Sequence, residues 1–304
     1  MIIVQSIRIK QIDAFTDIPF EGNPAAVVNN ASTLTDNQMQ NIAKEMNLSE
    51  TAFVLKPTTP DANLRIRWFT PTTEVSLCGH ATIAAFHSLA EDGLFGMNDE
   101  GNYQFKVETS SGILPVEVKK SISKIEVNLG LIVPQKFVRF SQYKLDIIRI
   151  LNIHLSDIEP KMLILRTNYL FVPIKRLYVV YGLRPNFFTL TNFMNQRNLQ
   201  GICVFTTETI ERDSLVHIRF FAPNEGISED PVTGSVHGGL AAYLLENGIL
   251  SLDNGVGTYK AEQGDKVGRK GRVVVTLSVN EDGEKSVKIG GRAVTIFTAD
   301  MKII

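Results

Sequence analysis

Two stretches decide how this chain is read. They are Leu64–Pro71, LRIRWFTP, followed by Cys78–Leu89, CGHATIAAFHSL, and Val216–Pro223, VHIRFFAP, followed by Thr233–Leu244, TGSVHGGLAAYL. The leading octets share Ile, Arg, Phe and Pro in register, and each predicts a short strand stopped by a proline. Aligned on Gly79 and Gly234, the trailing segments need no gap. Leu89 recurs as Leu244, Glu91 as Glu246 and Gly93 as Gly248, with Asp92 matched by Asn247. Gly93 and Gly248 sit where a helix end favours a left-handed residue, so each segment predicts a helix of roughly three to four turns. Neither helix has a polar face, and a helix apolar or small all round is buried.

Alternating strand patterns lie around each helix. In the first half they are Ile7–Phe15, Thr51–Leu55, Gly112–Val118 and Ile125–Leu129; in the second, Met162–Leu165, Tyr169–Val172, Ile202–Phe205, Arg272–Val279 and Ser286–Gly291. The expectation is an α+β fold of two pseudo-symmetric domains, each a barrel-like cage of strands around a central buried helix. The boundaries are expected at 1–127, with 292–304 returning to that half, and 128–291. The segment from about Ile132 to Leu199 does not repeat. Within it Ser141 is placed as the cap of a helix running through Leu151, and Tyr178–Arg197 fits helix and strand equally.

Composition bounds the function. The 304 residues suit two domains, and 44% hydrophobic with 21% charged residues is ordinary globular usage. Lys plus Arg is 31 against Asp plus Glu 32, a formal charge of −1. That balance supplies no field for nucleic acid or an anionic membrane. Cys78 and Cys203 are the only cysteines and show neither a disulfide framework nor metal-ligand spacing. A reducing, cytoplasmic setting is expected. The N-terminus does not read as a secretion signal, and no apolar run approaches the ~18 residues of a membrane span. A homodimer is expected from the general frequency of such assemblies.

A helix sheathed by strands can be reached only at its ends. The N-terminal end offers unpaired N–H groups and the positive pole of the helix dipole. A glycine there lets a ligand approach the backbone. Two such ends, opened by Gly79 and Gly234, are expected to grip a small carboxylate and to stabilise developing negative charge. His80 and Ser235 occupy equivalent first-turn positions, Cys78 and Thr233 the positions before them, and Asp230 lies just ahead of the second helix. His87, His154, His217 and His237 are read as structural. Glu50 heads an apolar strand in Leu48–Val54 (LSETAFV), while the corresponding Gln200–Phe205 (QGICVF) carries no acid. Glu50 is therefore an asymmetric addition to a symmetric anion grip.

Gly22–Val28 (GNPAAVV), Leu48–Val54, Phe69–Pro71, Glu74–Thr82 (EVSLCGHAT) and Asp230–Ser235 (DPVTGS) together resemble the phenazine-biosynthesis (PhzF-like) family. Gln263-Gly264 and Gly268–Arg272 fit as well. The resemblance implies a fold similar to diaminopimelate epimerase and a cofactor-independent isomerase with no metal, resembling the phenazine-pathway dihydro-hydroxyanthranilate isomerase. It implies that Glu50 is the acid/base, with His80 and Asp230 beside it in the catalytic set and Asn23, Gly79, Gly234 and Ser235 binding the substrate. Related racemases place a cysteine at each helix start. Here Thr233 replaces the second, and an alcohol is too weak an acid to serve as that base at neutral pH. Two other readings stand beside this one. One is an amino-acid epimerase or racemase using Cys78 with Glu50; the other is a non-catalytic small-carboxylate binding protein. A Cys78–His80 hydrolase is disfavoured, because residues two apart on a helix point away from each other, and the sequence shows no cluster of metal ligands.

Overall fold

The structure, a computed structural model, describes residues 5–131, 133–134 and 136–303. Residues 1–4, on which the reading of the N-terminus rests, and Ile132, where the non-repeating segment begins, lie outside the described residues. The chain forms two compact units, Met1–Gly130 with Ile289–Ile304, and Leu131–Lys288. The boundaries expected at 127/128 and 291/292 differ from these by three residues each: the strand Lys124–Leu131 runs past the first, and the second falls inside the strand Lys285–Gly291 rather than at its end.

The first unit contains β1 (Gln5–Ala14), β2 (Asn23–Val28), α1 (Asp36–Met46), β3 (Glu50–Leu55), β4 (Leu64–Phe69) and β5 (Glu74–Val75). It continues through α2 (Gly79–Glu91), β6 (Gly101–Thr109), β7 (Gly112–Ser121) and β8 (Lys124–Leu131). The second begins with β9 (Val138–Arg139), α3 (Lys144–Leu151), β10 (Leu165–Arg166), β11 (Tyr169–Pro173), α4 (Leu177–Gly182) and α5 (Phe187–Asn195). There follow β12 (Gly201–Thr206), β13 (Val216–Ala222), β14 (Ile227–Asp230), α6 (His237–Glu246), β15 (Val256–Gln263), β16 (Gly271–Val279) and β17 (Lys285–Gly291). The last strand, β18 (Ala293–Ile303), pairs antiparallel with β1.

The units share one pairing scheme. In the first, β2 runs parallel to β3, β3 antiparallel to β4, and β4 pairs with β5 and, in parallel, with β6. In the second, β11 is parallel to β12, β12 antiparallel to β13, and β13 pairs with β14 and, in parallel, with β15. Each cage holds its helix by burial. Every α2 residue from Gly79 to Ala90 is buried, and so is every α6 residue from His237 to Leu244. Burying side chains such as Ile83, Phe86 and Leu89 stabilises by about 1.5–3 kcal/mol each. Tyr243 of α6 packs its ring against Phe171 and Phe205, and a Cβ at Gly239 would lie 2.6 Å from the Phe171 ring. Small residues on these helices are there because strands close in on every side.

The repeat extends to polar contacts that the octets do not display. Arg67 donates to both carboxylate oxygens of Glu74 at 2.7 Å, and Arg219 does the same to Glu229, also at 2.7 Å. Both guanidinium groups lie 5.0 Å from the ring centroid of the next-but-one phenylalanine, Phe69 or Phe221. Two residues earlier, Arg65 meets Glu108 at 3.7 Å and His217 meets Glu262 at 3.0 Å. Each glutamate also accepts backbone N–H groups from the preceding loop, Thr58 and Thr59 for Glu108, Ile210 and Glu211 for Glu262.

Several local readings need correction. The second helix starts at His237 rather than at Gly234. Residues 234–237 form a tighter turn first, with N–H groups of His237 and Gly238 bonded to the carbonyls of Gly234 and Ser235. Ser235 therefore precedes its helix, whereas His80 lies inside α2. Ser141 opens a short 3₁₀ turn, and α3 begins only at Lys144. Tyr178–Arg197 resolves into the two helices α4 and α5, separated at Pro185, with Asn186 capping the second through Thr189 N–H at 3.0 Å. Met162–Leu165 is strand only at its last residue. Among the described residues no helix is long and apolar enough to cross a membrane.

Candidate functional site

The first unit brings together Glu50, Cys78, His80 and Ser49. Glu50 is the opening residue of β3, facing Ala25 of β2 in parallel register, and is 8% exposed. Cys78 precedes α2 with an extended backbone, φ −141°, and its carbonyl accepts from Thr82 Oγ1 at 2.6 Å. His80 is the second residue of α2, so its ring emerges at the helix mouth. Its Nε2 lies 3.2 Å from Glu50 Oε2 and 3.3 Å from Ser49 Oγ. Cys78 Sγ lies 3.5 Å from His80 Nδ1 and 4.0 Å from Nε2. The expectation that these two side chains point apart is thus incorrect. It assumed both residues to be helical, and Cys78 is the non-helical cap.

Burial pushes the Glu50 carboxyl above its ordinary range, with Ser49 and Cys78 pulling it partly back. Its Oε2 is buried and accepts no hydrogen bond. A carboxylate with an oxygen that accepts no hydrogen bond and with raised basicity can act as a general base. Asn23, at the start of β2, and Gly79, at the start of α2, belong to the same unit and are buried. Gly22 just before Asn23 is required by the chain path, with φ +64° and a would-be Cβ 2.1 Å from the carbonyl oxygen of Ala14.

Asp230, Gly234 and Ser235 lie in the second unit. Asp230 ends β14 and its Oδ2 accepts from Thr233 Oγ1 at 2.6 Å. Gln263, fully buried at the end of β15, props this turn. Its Nε2 donates to the Asp230 carbonyl at 2.8 Å and to Thr233 Oγ1 at 3.0 Å, and its Oε1 accepts from Thr233 N–H at 2.8 Å. Gly271, opening β16, packs under the turn, where a Cβ would meet Val232 at 2.2 Å. The Gln263-Gly264 and Gly268–Arg272 motif is thereby given a structural reason. Ser235 Oγ lies 3.0 Å from the hydroxyl of Tyr169.

Two residues that contact this turn carry no signal of their own in the sequence: Gln263 shows there only as part of a motif, and Tyr169 only as the start of a strand. Gly201 stands where the first unit has Glu50, since it faces Tyr169 as Glu50 faces Ala25. Phe220 fills the space beside it, so that a Cβ there would lie 2.1 Å from the ring. The asymmetry of Glu50 is therefore built into the packing. Three of the four remaining histidines have partners elsewhere: His217 pairs with Glu262, His237 Nδ1 lies 3.2 Å from Tyr259 Oη, and the His154 backbone N–H bonds to Asp157. Burial depresses His87 to about 4 and His237 to about 3, keeping both neutral.

Among the described residues, side chains able to hold a metal ion converge at Glu50, Cys78 and His80, whose donor atoms all lie within 4.8 Å of one another. The sequence shows no such cluster, because Glu50 lies on a different element from the other two.

The model of a protein family described as phenazine biosynthesis-like, PhzC-PhzF, matches residues 12–299. An uncharacterized isomerase of Clostridium acetobutylicum is 37% identical, the alignment covering 98% of this chain and 99% of that one. The crystal structure of a PhzF-family phenazine biosynthesis protein from Bacillus anthracis is 29% identical, with a TM-score of 0.87 over 98% of this chain and all of that one. At the level of fold alone, a probable proline racemase from Agrobacterium radiobacter matches with a TM-score of 0.63 at 12% identity, over 97% of this chain and 92% of that one.

Proposed function

The chain belongs to the PhzC-PhzF family of phenazine biosynthesis-like proteins, and on that premise we propose that it is an isomerase that moves a proton on a small carboxylate, with Glu50 as the acid/base. The observation that carries this reading is the buried Glu50 carboxylate, whose Oε2 accepts no hydrogen bond and lies 3.2 Å from His80 Nε2. A carboxylate can take a proton from one carbon and return it to another on the same face, so one base suffices and no second thiol is required. No electron needs storing in such a shift, so the reaction calls for no cofactor. The naming of full-length relatives as isomerases supports the class.

His80 orients the Glu50 carboxylate and can donate to an oxyanion on the substrate. Asn23 and the first N–H groups of α2 at Gly79 receive the reacting end of the substrate. Asp230, held by Thr233, together with Gly234 and Ser235, is assigned the substrate's polar groups. A small carboxylic acid is the substrate class.

A second reading is epimerisation with Cys78 as the partner of Glu50, favoured by Cys78 Sγ lying 3.5 Å from His80 Nδ1. A screen of small carboxylic acids in deuterated buffer separates the two. Proton-shift isomerisation yields a product of changed connectivity that Cys78→Ser still makes. Deuterium entering a stereocentre with connectivity unchanged, and lost in Cys78→Ser, overturns the first reading in favour of the second.

A further inference from the structure

We propose that Glu50, Cys78 and His80 form a binding site for a thiophilic divalent cation such as Zn2+. The three residues supply the donor types that zinc selects: a carboxylate oxygen, a cysteine sulfur and an imidazole nitrogen. Their separations suit it. Glu50 Oε2 to His80 Nε2 is 3.2 Å, and Cys78 Sγ to the same nitrogen is 4.0 Å; all donors fall within 4.8 Å of one another. A tetrahedral zinc with bonds of 2.0–2.3 Å holds its donors about 3.4–3.6 Å apart, so small side-chain rotations close the set.

A second observation points to a ligand at the same place. Glu50 Oε2 is buried in a residue only 8% exposed, and its 3.2 Å contact with His80 Nε2 is not a hydrogen bond; a buried charged oxygen without a hydrogen bond is costly. A cation in front of it, ligated also by sulfur and imidazole, removes that cost. On binding, Cys78 releases its thiol proton to solvent and its sulfur becomes the third protein ligand. The fourth position stays open for water or an anion. If Glu50 is the base of the reaction proposed above, a loaded site cannot pass a proton and zinc is an inhibitor. The binding itself does not depend on that reading.

The test uses the full chain under reducing conditions, titrated with Zn2+ alone by calorimetry and with Co2+ by absorption. One equivalent of Zn2+ is expected per chain, with affinity at least tenfold weaker in Cys78→Ser. The Co2+ complex is expected to show a thiolate-to-metal charge-transfer band that Cys78→Ser lacks. Cys203 is fully buried within β12 and offers no alternative sulfur. Glu50→Gln is expected to weaken binding while keeping the sulfur band, which separates loss of a ligand from loss of the fold. Equal zinc affinity in wild type and Cys78→Ser, or a Co2+ complex without the sulfur band, means an adventitious ion only and overturns the proposal.

Discussion

The repeated arginine fork offers a quantitative test of how the two units are built. Arg67 and Arg219 make the same bidentate bond to Glu74 and Glu229 and stack equally on Phe69 and Phe221, so these contributions cancel between them. Their surroundings do not cancel. The Glu229 side chain is 14% exposed, and Arg219 Nη1 also donates to the carbonyls of Val180 and Leu183 at 2.9 and 3.0 Å. Arg219→Met leaves a buried carboxylate and two buried carbonyls unpaired, a cost of about 3–5 kcal/mol. The partners of Arg67 are Glu74, 35% exposed, and Asp36, 77% exposed. Water replaces the arginine there, and Arg67→Met costs about 1 kcal/mol.

The difference, roughly 3 kcal/mol, is more than a hundredfold in the unfolding equilibrium. Denaturant titration reads each unit separately. Trp68, the chain's single tryptophan, is buried in the first unit and reports by fluorescence. Cys203, buried in the second, reports by labelling located in its peptide. Equal losses in the two variants would refute the argument that burial, not the bond itself, sets the worth of the fork. Arg219→Met should also loosen β14 and hence Asp230, which Arg67→Met should leave untouched.

Other consequences concern titration and the site. A carboxyl raised by burial stabilises the fold fully below its unfolded value, and the contribution is lost as pH rises through the folded value. Glu50→Gln is therefore expected to melt higher than wild type at pH 8 but not at pH 4, in paired thermal scans. Glu262 is the opposite case. Burial alone would raise it, but His217 and the N–H groups of Ile210 and Glu211 hold it down to about 2. Its stabilisation, on the order of 3 kcal/mol, is present above the ordinary glutamate range and lost as pH falls toward 2. Acid titration of Glu262→Gln should show that loss flattened. Thr233→Val removes the 2.6 Å hydrogen bond to Asp230, a bond to a charged group worth about 1.5–3 kcal/mol. Steady-state kinetics should show KM raised roughly tenfold to a hundredfold, with kcat changed less.

The fold was legible where local pattern and packing agree. LRIRWFTP and VHIRFFAP are strands because their apolar residues are buried in a sheet, alternately at the start of the first and throughout the second, and a proline follows each. The two helices announced themselves by lacking a polar face. β6, too, is legible in the sequence, through the alternation of Tyr103, Phe105 and Val107 with polar residues. The helix start at Gly234 was misplaced because the register of side chains survives a tighter turn that changes only backbone hydrogen bonds. Tyr178–Arg197 was ambiguous because Pro185 splits it into two helices, each too short for its own periodicity to show. The convergence of Glu50 with Cys78 and His80 was not legible at all. No spacing rule links a strand start to a helix cap, and parallel pairing of β2 with β3 is what brings Glu50 to its place.

The central claim is that Glu50 carries the proton. The most direct measurement follows deuterium uptake from solvent into a turned-over carboxylic acid by mass spectrometry, wild type against Glu50→Gln, with ligand affinity measured alongside. The account expects uptake to fall by about 10²–10⁴-fold while the affinity holds within a few-fold. Uptake by Glu50→Gln at a rate near that of the wild type would contradict it.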